Sequence, residues 1–204
     1  MEAKQTPEQY TAIAQQGLKR LKELEVFGGW QPNGDKPCAM FKTEIDGRVA
    51  SKGIAKVNYS IEKVFAFLDQ EASLKKLNPM VLEIKVLEAH ENYRINYQQY
   101  KGIWPVDNRE FISTSAKEKS ADKIYIATTA CQFPYPESKG VVRGAVYVGG
   151  YIIEKISEDV TQVTYISDAD LKGSIPGMIK NTLSAKQGEV AAKIGPTMEK
   201  EGIK

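Results

Sequence analysis

Arg109 opens a segment in which Arg109, Phe111, Ser113 and Ser115 alternate, so a β-strand there would carry all four on one face. A guanidinium on such a face needs a partner. Its fork of N–H donors suits two parallel hydrogen bonds to a carboxylate or a phosphate, and burial without one is strongly unfavourable. The partner is either an acid of the protein, such as Asp107, or an anionic group brought by a ligand. Asn96, Thr128 and Thr129 add short polar side chains to other predicted strands. Turned inward, they would meet a polar ligand group or ordered water; turned outward, they would be ordinary solvent-facing residues. Tyr93, Tyr97, Tyr100, Tyr147, Tyr151 and Tyr165 also fall on predicted strands, where a ring can face hydrocarbon while its hydroxyl meets a polar group.

Little else suggests chemistry. His90 is the single histidine and falls in a predicted turn. The chain has no glycine-flanked serine elbow, no glycine-rich phosphate loop with lysine, no paired-histidine metal motif and no Cys-His arrangement. No enzyme activity and no cofactor are therefore expected. Lys and Arg total 28 against 26 Asp and Glu, with both signs spread along the chain, which argues against a nucleic-acid partner. Cys38 and Cys131 match neither a disulfide framework nor a ligand spacing and read as buried thiols of a reducing compartment. The N-terminus lacks an apolar signal core and no run of about 18 apolar residues occurs, so a cytoplasmic protein is expected. With 204 residues and no linker-like stretch, residues 1–204 read as one domain, and a monomer is expected.

The elements that must position these residues are legible from local signals. Thr6, Pro7, Glu8 and Gln9 form an N-cap with a first-turn proline and a capping-box glutamine, and the apolar spacing from Tyr10 to Leu24 predicts a helix to about Phe27. Two strands follow between Cys38 and Val57, turning at Asp46-Gly47. Ser60 caps a helix to Asp69, and a short helix spans about 72–77. Six more strands are predicted near 81–89, 92–101, 109–118, 122–131, 142–154 and 159–170. A long amphipathic helix starting at Ser174-Ile175-Pro176 closes the chain. Eight strands and a closing helix give an α+β class. The helix should lie across the concave side of one curved antiparallel sheet, a helix-grip fold that can leave an internal cavity of roughly 300–1,000 Å³.

Four stretches, in chain order, resemble the START family of lipid-transfer domains. Trp104 to Phe111 is similar to that family's proline, Arg, acid, aromatic signature, and Lys139-Gly140-Val141-Val142-Arg143-Gly144 to the start of a later strand. Asp170 to Pro176 resembles the approach to its last helix, and Asn181 sits as in that helix's first turns. The segment from Tyr97 to Phe111 is most similar to the phosphatidylcholine-transfer branch; Ser115 stands where sterol-binding members carry a second arginine, and their cavity glutamate is missing near Asn96.

The resemblance implies a protein that holds one lipid, a phospholipid rather than a sterol, in the cavity and transfers it between membranes or senses it. Its last helix would act as lid, with transient contact to a membrane surface. A sterol or other small apolar ligand, or a helix-grip cyclase or hydratase, is the alternative. The lipid-binding set it implies comprises Asn96, Tyr97, Arg109, Phe111, Ser113, Ser115, Thr128, Phe133, Arg143, Tyr147, Met178, Thr182 and Leu183. Gly173 and Gly177 either flank a hinge or merely end a strand and allow close packing. Trp104 and the run Phe133-Pro134-Tyr135-Pro136 either meet a membrane interface or fold back.

Overall fold

The computed structural model describes residues 4–173, 175 and 177–203. Its first helix, α1 (Pro7–Glu25), begins as the sequence dictates. The Thr6 hydroxyl accepts from the Gln9 amide and the Gln9 side chain accepts from the Thr6 amide, which satisfies two otherwise orphaned donors. A short strand β1 (Gln31–Pro32) leads into the hairpin β2 (Ala39–Ile45) and β3 (Arg48–Val57). Asp46 and Gly47 both take positive φ at the turn, the left-handed geometry that matches strand twist. Ser60 caps α2 (Ile61–Leu68), and α3 (Glu71–Leu77) follows it.

From there the chain is mostly strand: β4 (Val81–Ala89), β5 (Arg94–Tyr100), β6 (Asn108–Lys119), β7 (Lys123–Ala130), β8 (Val141–Arg143), β9 (Ala145–Ser157) and β10 (Val160–Asp170). The sheet order is β1-β2-β3-β10-β9-β7-β6-β5-β4, with antiparallel neighbours; β8 alone pairs parallel, to the start of β6. Ten strands form rather than eight. β1 is too short to show an alternating pattern, and the strand expected at 142–154 breaks at Gly144 into β8 and β9.

The final segment forms two helices, α4 (Gly177–Gly188) and α5 (Val190–Lys200), broken at Glu189, where one long helix is expected. The break falls beside a close backbone approach to the sheet. A Cβ on Gly53 of β3 would lie 1.9 Å from the Gly188 carbonyl oxygen, so only glycine lets the two backbones touch there. Ser174 and Pro176, expected to start the helix, lie outside the described residues.

The sheet separates two packed regions. On its convex face α1 buries Tyr10, Leu18, Leu21 and Leu24 against Ile95, Tyr97, Ile112, Ile152 and Ile166. Each such aliphatic side chain contributes about 1.5–3 kcal/mol. On the concave face α2, α3 and α5 gather around Tyr151, Ile153 and Val163, with Val190, Ile194 and Met198 fully buried. Cys38 is buried under α5 beside Met40 and Ala191, and Cys131 packs against the convex core.

Candidate functional site

Between the concave face and α4 lies a cavity of about 370 Å³. Its floor is set by strand parity. Register pairs Tyr100 with Arg109, Gln98 with Phe111 and Asn96 with Ser113, so these six side chains share the inner face. Farther across, Thr128, Gly149 and Ser167 align in one row and Ile126, Tyr151 and Tyr165 in the next. Ile103, Val106, Ile175 and Leu183 close it from above. A second, smaller recess of about 270 Å³ continues along β5 and β6 beneath α3; the two share Leu74, Gln98, Ile126, Thr128 and Tyr151, and Asn96 and Ser115 line only the recess.

Arg109 is 6% exposed, and its described hydrogen bonds all run to main-chain carbonyls. Nε donates to Leu171 at 2.8 Å, one terminal nitrogen to Asp107 at 2.5 Å and to Asn108 at 3.5 Å, and the other to Lys172 at 3.3 Å. The expected acid partner is therefore corrected: Asp107 offers its carbonyl to the guanidinium. Burial lowers the Arg109 pKa, with the Asp107 charge working against that. These bonds tie β6 to the Leu171–Gly173 turn that leads into α4. Gly173 holds φ of +68° there, a conformation that favours glycine, and Lys172 precedes it at +53°. Among the described residues nothing lies within 4 Å of a Cβ placed on Gly177, which argues against close packing as that glycine's role.

Three phenols converge on the cavity. Tyr151 and Tyr165 pack with ring centroids 5.0 Å apart, Tyr165 donates to Gln187 of α4 at 3.5 Å, and Tyr100 donates to Gln98 at 3.0 Å. Burial, then the neighbouring phenols, pushes the pKa values of Tyr100 and Tyr151 far above the ordinary range, and burial raises Tyr165, so all three stay protonated donors. Tyr100, Gln98, Ser51 and Ser167 lie outside the set drawn from the sequence. Alternation from Asn96 to residues 98 and 100 carries the signal for the first two.

The same parity removes other members of that set from the cavity. Tyr97 points to the convex face, where its hydroxyl donates to Glu110 at 3.1 Å and its ring packs on Tyr135 at 4.8 Å. Arg143 is beside it, bonded to Glu110 at 2.6 and 3.1 Å and to the carbonyls of Tyr135 and Pro136. Phe133 folds back onto Tyr10, 6.2 Å between centroids. Tyr147 is 44% exposed, with the Arg48 guanidinium 3.7 Å above its ring. Thr182 is exposed although Leu183 faces the cavity. The side chains of Met178 and Asn181 lie outside the described residues. His90 is on the surface, stacked on Tyr93.

Two polar atoms on the concave face lack partners among the described residues, Asn96 Oδ1 and Ser113 Oγ; a third, Thr114 Oγ1, lies under α1. At the other end, Gly102, Ile103, Val106 and Asp107 of the β5–β6 loop line the mouth, the Gly102 amide donates to Asn108 Oδ1 at 2.9 Å, and Trp104 at the loop tip is 90% exposed.

A sheet gripped by a helix over a cavity can be compared with known proteins directly. The START domain family model matches residues 33–201. The chain belongs to the START domain family. An uncharacterized protein of Pseudomonas aeruginosa, PA1579, is 26% identical over 134 residues, 65% of this chain and 66% of that protein. Human START domain-containing protein 10 is 28% identical over 112 residues, 54% of this chain and 38% of that one, so this START chain spans well under half of that relative's length. Among solved structures, human StAR-related lipid transfer protein 5 superposes with a TM-score of 0.87 at 13% identity, covering 97% of this chain and all of that one. A Streptomyces aromatase/cyclase superposes at 0.53 with 13% identity, covering 74% and 94%. These two share the helix-grip fold, and START domains as a family bind lipids.

Proposed function

We propose that this START domain encloses one lipid in the cavity beneath α4 and either carries it between membranes or reports its presence, with α4 as lid. The observation that carries this reading is a partly open cavity of about 370 Å³ between the concave face and α4, in a family that binds lipids. That volume is near the lower end of ordinary ligand pockets, which favours a lipid with one acyl chain. The phospholipid implied by the sequence is kept in its single-chain form, its phosphate seated at Arg109 in place of the Leu171 and Lys172 carbonyls. A fatty acid carboxylate suits the same guanidinium.

Exposing an acyl chain of about 16 carbons to water costs on the order of 13 kcal/mol, at roughly 0.8 kcal/mol per methylene. A pocket as dry as a bilayer leaves the end states nearly balanced, so the protein acts on the exchange rate. Trp104 on the mouth loop supplies an apolar, amphipathic tip for transient contact with a membrane interface. The domain would work as a cytoplasmic monomer. A carrier is favoured over a cyclase because the acids among the described residues lining this cavity, Asp107, Asp170 and Glu189, come from the β5–β6 loop, the end of β10 and the α4–α5 break, and none of those lining residues is a histidine that could serve as base.

Native mass spectrometry of the freshly purified chain should reveal a single-chain lipid at one per protein, and labelled lipid should move between vesicles faster with the protein than without it. Protein that arrives empty and leaves the exchange rate unchanged would reject the reading.

A further inference from the structure

The inner recess contains more polar chemistry than a hydrocarbon tail requires. Asn96 lines it and is 6% exposed; Ser113, 1% exposed, lies opposite Asn96 across β5 and β6 just behind the lining, and neither Asn96 Oδ1 nor Ser113 Oγ has a partner among the described residues. Asn96 Nδ2 donates to Ser115 at 3.3 Å, so one end of the carboxamide is held and the other is left over. A buried polar atom without a hydrogen bond is destabilising, and native proteins carry few of them. Gln98 and Thr128 extend the polar lining to the main cavity. An amide turns about a soft terminal torsion, so either of its ends can be presented to the recess.

Resting on the lipid-carrier reading, we propose that Asn96, with Ser113 and Ser115, receives a hydrogen-bond donor at the buried end of the ligand, so that the preferred lipid carries a hydroxyl near the tip of its chain. Four residues of strand separate Arg109 from Ser113, the cross-strand neighbour of Asn96, and six separate it from Ser115 on the same face, about 13 and 20 Å. An anionic group at Arg109 and a hydroxyl at Asn96 thus define a long, single-chain molecule with a polar group at each end. A plain chain would leave the carboxamide oxygen unpaired at the bottom of the cavity. A hydroxylated chain would satisfy it.

The test compares hexadecanoic acid with its ω-hydroxy form, each titrated into wild type, Asn96→Leu and Ser115→Ala. Wild type should prefer the hydroxy form by about five- to tenfold, the worth of one buried hydrogen bond. Asn96→Leu should reverse the order, binding the plain acid more tightly, and should melt no lower than wild type. Ser115→Ala frees the amide end it holds and should narrow the preference; it serves as the second reporter should Asn96→Leu fold poorly. Equal affinity of wild type for the two acids, or a preference unchanged in either variant, overturns the inference and leaves the carrier reading standing. Wild type that binds neither acid overturns both.

Discussion

Arg109 and Glu110 are consecutive residues on β6, and because a strand sends neighbours to opposite faces they sample the two sides of one sheet. On the convex side Glu110 is fully buried and fully partnered, by Arg143, the Ser138 amide and the Tyr97 hydroxyl. On the concave side, among the described residues, Arg109 bonds only to carbonyls, and Asn96 and Ser113 have atoms without partners. Around Glu110 the convex face is complete, although Thr114 Oγ1 under α1 has no partner among the described residues. Around Arg109 and Asn96 the concave face borders open space, where a ligand would complete it. Charge burial by itself therefore does not mark a site; incomplete partners beside open space do.

The largest effect should come from breaking the finished side. Glu110→Gln strands the Arg143 guanidinium and should cost about 3–5 kcal/mol by chemical denaturation, with lipid capture per folded molecule unchanged. Burial alone would raise the Glu110 carboxyl, but Ser138 and Arg143 outweigh it and hold its pKa below the ordinary value. Its contribution is therefore present above a pH of about 4.3 and fades as pH falls through the lowered native value. A wild-type stability curve that steepens in that window, and flattens in Glu110→Gln, checks the sign.

Arg109→Ala should do less to stability, about 1–2 kcal/mol, since the carbonyls it releases lie at a mouth that water can reach. Faster amide exchange at Leu171–Gly173 and loss of co-purifying lipid would identify it as both clamp and head-group ligand. Slower exchange there would contradict the clamp. Ser113→Ala should be smallest, within about 0.5 kcal/mol of wild type and on the stabilising side, because it removes an unpaired hydroxyl. A marked loss of stability in the lipid-free protein would show that Ser113 is as well partnered as Glu110, and the contrast between the faces would fail.

Much of the frame is written in local signals. The capping box at Thr6, the Asp46-Gly47 turn and the alternation on the long strands each act over a few residues, so they can be read without knowing the fold. The break at Glu189 cannot be read that way, since it depends on Gly53 and Gly188 meeting across 135 residues of chain. Within the site, the inner placement of Arg109 and Phe111 follows from parity. Parity also forbids Asn96 and Tyr97 from sharing a face, which the resemblance alone obscures. Arg143 leaves the cavity because its carboxylate partner belongs to β6, and such pairing over long sequence distances leaves no mark in either segment.

The contact between Gly53 and Gly188 also fixes how a lid could move. With its far end pressed backbone to backbone against β3, α4 resembles a lever whose fulcrum is Gly188. Its travel is then greatest at Gly177, beside the turn that Arg109 fastens. A molecule released by that motion would depart head group first and draw its tail out last, so the polar tip in the recess would be the final point of attachment.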